Sequence, residues 1–145
     1  MQKKIVLPEG YKPSENEEYM NPMQLEYFRQ KLQNWREELL KESRETLVHL
    51  KEENWNEPDL NDRASVETET TIELKVRDRY RKLIDKIETT IARIETGDYG
   101  YCEETSEKIG LKRLEARPVA TLCVEAQMRH ENYEKTHIDE DKIDA

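Results

Sequence analysis

A mainly α-helical protein is predicted, built on a long antiparallel coiled-coil hairpin followed by a small globule and a last helix. Three observations predict it. Two stretches carry apolar residues every three or four positions, a turn-rich segment separates them, and a glycine marks a change of texture after the second. The composition agrees. Hydrophobic residues make up 34% of the 145 and charged residues 39%, too polar a balance for a compact sphere but suited to helices that bury a narrow stripe. A disordered chain would not space its apolar residues so regularly.

Residues 1–20 are polar and carry Pro8, Gly10 and Pro13, which predicts an irregular lead-in. Asn21-Pro22 then marks a helix start, with Asn21 as cap and Pro22 at the first helical position. Leu25, Phe28, Leu32, Trp35 and Leu39 follow on one stripe, which continues less tidily through Leu47 and Leu50 until Pro58 ends it. A second stripe runs from Ile72 through Val76, Tyr80, Leu83, Ile87, Ile91 and Ile94, and Gly97 is its natural stop. The hairpin therefore occupies 21–96, with its tip at 57–63, where Glu57-Pro58-Asp59-Leu60-Asn61-Asp62 is rich in turn and cap residues. If the turn centres near residue 59 or 60, Leu25 faces Ile94, Phe28 faces Ile91, Leu32 faces Ile87, Leu39 faces Tyr80 and Leu47 faces Ile72. At about 1.5 Å per residue each arm reaches roughly 50 Å. Residues 97–137 form the globule and a last helix from near Thr121 to about His137, and 138–145 are an acidic, fraying tail. A monomer is expected, because the hairpin covers its own stripe.

The net charge of −9 disfavours attraction to a phosphate backbone, so direct DNA binding is a poor reading. The N-terminus does not read as a secretory leader, and no apolar run nears the roughly 20 residues that span a membrane. A cytoplasmic protein with reduced thiols is expected. No phosphate-cradling loop, metalloprotease histidine pair or nucleophile elbow is present, and His49, His130 and His137 are scattered as surface residues are. Nothing reads as a catalytic centre.

Three groups remain. Cys102 and Cys123 resemble halves of two C-x2-C pairs, but Thr105 and Ala126 stand where the completing thiols belong, and His130 lies about two helical turns beyond Cys123. Two small buried residues packing in a metal-free globule is the favoured reading, and zinc is not expected. Asp59 and Asp62 are ordinary turn and cap residues, yet at the end of a rigid finger they could be delivered into a channel to meet Arg, Lys or a bound Mg²⁺. The second helix carries Lys75, Arg77, Arg79, Arg81, Lys82, Lys86 and Arg93, and Lys112, Arg113 and Arg117 add to it. These are either a solvated, ion-paired face or a surface for a phosphate-bearing ligand or an acidic protein.

At this point the residues resemble the DksA/TraR family. Glu17-Glu18-Tyr19-Met20-Asn21, Asp59-Leu60-Asn61-Asp62-Arg63-Ala64, RDRYRKLIDKIETTIARIETGDYGYC from Arg77 to Cys102, and IGLKRLEARPVATLC from Ile109 to Cys123 carry the likeness, which covers roughly residues 15–135. The resemblance implies a coiled coil that enters the secondary channel of RNA polymerase, and a degenerate zinc-finger-like globular domain. It implies destabilisation of open complexes, repression of ribosomal RNA promoters, activation of some biosynthetic promoters, and action with guanosine tetraphosphate (ppGpp) in the stringent response. Position by position, Asp59, Asp62 and Ala64 look like the tip residues acting near the active site, and Arg79 like a polymerase contact. Leu83, Lys86 and Arg117 look like the surface that holds the alarmone with polymerase. With two of four cysteines, the chain resembles the zinc-independent members. Gln127 stands where better-known members place a lysine beside the alarmone, so alarmone dependence is less expected than polymerase binding. A transcript-cleavage factor using the same channel is the runner-up of similar shape, and a plain coiled-coil adaptor is a third reading that leaves the Arg-Leu-Glu-Ala-Arg-Pro segment unexplained.

Overall fold

A computed structural model of the chain describes residues 5–56 and 62–143, with side chains up to Glu52 and from Glu67 to His137. Four helices are seen: α1 (Pro22–Asn56), α2 (Asp62–Thr96), α3 (Leu111–Ala116) and α4 (Val124–Ile143). Among the described residues the sole sheet-like feature is an isolated bridge between Tyr101 and Lys108. The chain divides into two compact units. One takes the part up to Arg29 together with the part from Arg93 on, and the other is Gln30–Ala92.

In the first unit, α1 starts where the cap chemistry predicts. The Asn21 Oδ1 accepts the Gln24 backbone N–H at 2.9 Å, with Pro22 at the first helical position. Gln24 is fully buried. Its Oε1 accepts the Met20 N–H at 2.8 Å and its Nε2 donates to the Ser14 carbonyl, so both ends of the amide are satisfied. The lead-in is irregular but tied down through Glu17, whose carboxylate accepts the Tyr11 hydroxyl at 2.7 Å, the Asn21 Nδ2 at 3.1 Å and the Ser14 N–H at 3.2 Å.

Those bonds, the Tyr11 hydroxyl foremost, hold the Glu17 carboxyl below its ordinary 4.5. A carboxyl lowered in the folded state adds stability above its unfolded pKa and loses it as pH falls through the folded one. Glu17→Gln should therefore flatten the loss of stability on acidification below about pH 4.5, read as urea midpoints across that range. An unchanged acid limb would contradict this role.

The core of this unit gathers Phe28, Ile94, Tyr99, Cys102, Ile109, Leu111, Leu114, Val119, Cys123 and Ala126. The Tyr99 hydroxyl donates to the Pro118 carbonyl at 2.8 Å, and the Tyr19 hydroxyl donates to the Gly100 carbonyl while accepting the Gly110 N–H. At Gly100 φ is +92°, and a Cβ there would come within 2.7 Å of Met20, so only glycine fits. Gly97, with φ +85°, stops α2 as expected; the Asp98 N–H beyond it closes on the Arg93 carbonyl at 3.0 Å.

Two boundaries differ from expectation. The last helix begins at Val124, not near Thr121, because the Thr121 carbonyl accepts the Glu103 N–H and the Leu122 carbonyl accepts the Arg113 guanidinium. Those bonds hold Thr121 and Leu122 out of the helix, with a bend at Leu122. It also runs to Ile143, so the segment expected to fray from 138 is helical in backbone; no glycine or proline follows Val124 to break it. The short α3 was not foreseen, since six residues with Leu111 and Leu114 buried are too few to show a period.

The second unit is the paired stretch of α1 and α2. Leu32 and Ile87 are fully buried, with Leu39 and Thr90 close to it. Polar bonds cross the seam: the Tyr80 hydroxyl donates to the Glu42 carboxylate at 3.0 Å and lies 3.3 Å from the Thr46 hydroxyl, and Arg36 pairs with Glu88 at 3.2 Å. The antiparallel pairing is as predicted, but Tyr80 was expected opposite Leu39 and instead meets Glu42 and Thr46. Long side chains lean toward the N-terminus of their own helix, so contacting tips belong to residues further along than level pairing gives. Burial also thins: Ile72, expected in the stripe, is 45% exposed, and Val48 and Leu74 are exposed as well.

Candidate interaction surface

The spacing of Lys75, Arg79, Lys82, Leu83 and Lys86 puts them on one face of α2, three or four positions apart. Together with Asp78 they line a shallow groove in the second unit. Arg79 and Lys86 are exposed and Leu83 is half-buried, so a band of charge surrounds an apolar floor. Asp78 neutralises only one side. Its carboxylate takes Lys82 at 2.9 Å and Arg81 at 3.2 Å, and the Lys82 bond leads in holding its pKa below the usual carboxylate range. Among the described residues Lys75, Arg79 and Lys86 enter no ion pair. Three uncompensated cations on one face of an acidic protein can accept an anionic or acidic partner at little desolvation cost.

The predicted residues fall in different places. Arg79, Leu83 and Lys86 are brought together in this groove, whereas Arg117 is exposed in the other unit, just beyond α3, its N–H bonded to the Arg113 carbonyl at 2.7 Å. Asp59 lies outside the described residues. Asp62 opens α2 and Ala64 follows on it, with their side chains outside the described set. Gln127 is half-buried on α4 and donates to Glu131 at 3.2 Å. Lys75 and Lys82 were read from the sequence only as part of a charge run; their spacing from Arg79 and Lys86 is the signal that places them in the groove.

In the first unit, Cys102, Cys123 and Ala126 pack as one buried cluster, and the Thr105 hydroxyl sits 3.8 Å from the Cys123 sulfur. The four positions of a C4 site are thus gathered, but they offer two thiols, a hydroxyl and a methyl. Ala126 is fully buried, its methyl filling the place a fourth ligand would take. No group of three metal-ligating side chains occurs among the described residues. These residues do not fit a tetrahedral zinc site. Other bonds join the loop to α4: Glu104 contacts both His130 and Arg129. Burial alone would push the Cys102 thiol up, but the Thr105 hydroxyl and the backbone amides of Cys123, Thr105 and Glu104 outweigh it and hold the thiol down at about 6.

Comparison with known proteins gives a consistent result. Residues 24–94 match the family of the DnaK suppressor protein DksA, N-terminal domain, and residues 97–132 match the prokaryotic dksA/traR C4-type zinc finger. The RNA polymerase-binding transcription factor DksA of Caulobacter vibrioides is 59% identical over 142 residues, covering 97% of this chain and all of that protein. The factor of the same name from Escherichia coli K12 is 47% identical over 127 residues, 88% of this chain and 84% of that one. The solved structure of transcription factor DksA2 from Pseudomonas aeruginosa matches with a TM-score of 0.69 at 40% identity, covering 81% of this chain and 90% of that one.

Proposed function

The chain belongs to the DksA family, and from that premise we propose that it is a transcription regulator that binds RNA polymerase through the secondary channel, presenting the hairpin tip to the active site. The observation that carries this reading is the α2 groove, where Arg79 and Lys86 stand uncompensated beside Leu83. That arrangement suits an acidic protein surface, with the apolar floor taking one side chain and the cations their carboxylates. The partner is the polymerase and not free DNA, since the chain as a whole is acidic.

The mechanism needs no bond chemistry from this protein. Asp59 and Asp62 supply charge and hydrogen-bond acceptors near the catalytic centre, with Ala64 leaving room for the approach. Their contacts favour the closed over the open promoter complex, and a bound factor shifts such an equilibrium only by its differential affinity for the two states. Ribosomal RNA promoters are thereby repressed and some biosynthetic promoters helped. Leu83, Lys86 and Arg117 contribute to an alarmone surface completed by polymerase, and guanosine tetraphosphate deepens the effect. With Gln127 in place of a cation, the alarmone loses a charge-assisted bond worth about 1–2 kcal/mol. The protein acts as a monomer in the cell interior; among the described residues no helix is long and apolar enough to cross a membrane.

Two measurements test this reading. Arg79→Ala should weaken binding to purified core polymerase by about tenfold, the loss of one charge-assisted contact of about 1.5 kcal/mol, and added salt should narrow the difference. Equal affinity of the two proteins would remove the groove from the interface. Zinc is not part of the mechanism, so treatment with a strong chelator should leave helix content and polymerase affinity unchanged, and a loss of either would show a metal that the thiols retain.

A further inference from the structure

The gathered but incomplete C4 positions leave two sulfurs in one pocket. Cys102 and Cys123 are 3% and 7% exposed and share one cluster. The Thr105 hydroxyl lies 3.8 Å from the Cys123 sulfur. Among the described residues no third thiol, imidazole or carboxylate joins them. The pocket is not sealed: Cys102 lines a groove with Tyr101, Glu103, Ser106 and Arg93, which gives a small ion a path from solvent.

We propose that Cys102 and Cys123 form a binding site for a soft, low-coordinate monovalent cation of the copper(I) class. Zinc needs four ligands in tetrahedral array and finds two, whereas thiolate sulfur is the ligand that soft copper(I) selects, and two such donors satisfy it. The ion replaces the thiol protons, which pass to solvent. The residual negative charge of a two-thiolate complex meets the Thr105 hydroxyl, which lies 3.8 Å from the Cys123 sulfur. Ala126 and Leu122 keep the other side apolar, which limits water around the ion.

The test needs no polymerase. The reduced full chain is titrated without oxygen against copper(I) held by a coloured chelator. The wild type should withdraw one ion per chain, and Cys102→Ser and Cys123→Ser should each lose that capacity. Circular dichroism shows whether each variant is folded. Independently of the variants, alkylation of the loaded wild type read by mass spectrometry should find both cysteines protected, and both modified once copper is removed. Zinc offered from a zinc chelator should stay with the chelator. A wild type that leaves the copper on the chelator, protection of one cysteine only, or zinc withdrawn as readily as copper would each overturn the proposal.

Discussion

Asp62→Asn should lose most of the repression of a ribosomal RNA promoter while binding RNA polymerase nearly as well as the wild type. The change keeps size and shape and removes one charge. A surface ion pair is worth about 0–1 kcal/mol, so removing one charge from the resting complex should cost at most about fivefold in affinity. In the state that the tip disfavours or favours, the same carboxylate meets Arg, Lys or metal-bound groups in a water-poor channel. There a charge-assisted bond is worth about 1.5–3 kcal/mol, so regulation should fall by about tenfold or more. Affinity and repression are measured on the same preparations. Repression that falls only in step with affinity would mean that Asp62 grips polymerase and does not act on its equilibrium.

The second large effect is structural. Phe28 has no exposed surface; its ring lies 5.7 Å from that of Tyr99 and 5.2 Å from that of Tyr27. Phe28→Ala removes the ring and leaves a cavity that the surrounding tyrosines, fixed by their own bonds, cannot close. The Tyr99 hydroxyl is held by the Pro118 carbonyl, and burial together with Glu115 pushes Tyr27 up to about 12. Such truncations cost about 3–5 kcal/mol, a large share of the roughly 5–15 kcal/mol that folds a domain. The thermal midpoint should drop by about 10 °C. Tyr99→Phe, which deletes one hydrogen bond and no packing, should cost only about 1 kcal/mol. A Phe28→Ala midpoint within 2–3 °C of wild type, about the effect of one hydrogen bond, would contradict a core centred on this ring.

What the sequence made legible is what local chemistry decides. Asn21-Pro22 starts a helix because the cap oxygen and the fixed proline φ act within one turn, and Gly97 ends one because the chain needs a positive φ there. Arg79, Leu83 and Lys86 share a face because helical spacing makes them do so. Tertiary bonds decide the rest. The start of α4 depends on the Thr121 and Leu122 carbonyls being taken by Glu103 and Arg113, which are distant in sequence. The contacts of Tyr80 depend on the direction in which long side chains lean, which an apolar pattern does not encode. Thr105 and Ala126 were legible as replaced ligands, but that the hydroxyl would bond a remaining thiol required the packed loop.

The central claim is that this chain regulates transcription by acting on polymerase itself. The most direct measurement is transcription from a ribosomal RNA promoter with purified RNA polymerase, with and without the protein, and with and without guanosine tetraphosphate. The protein alone should shorten the life of open complexes and lower transcript yield, and the alarmone should lower it further. Unchanged yield under every condition, from a folded protein at saturating concentration, would contradict it.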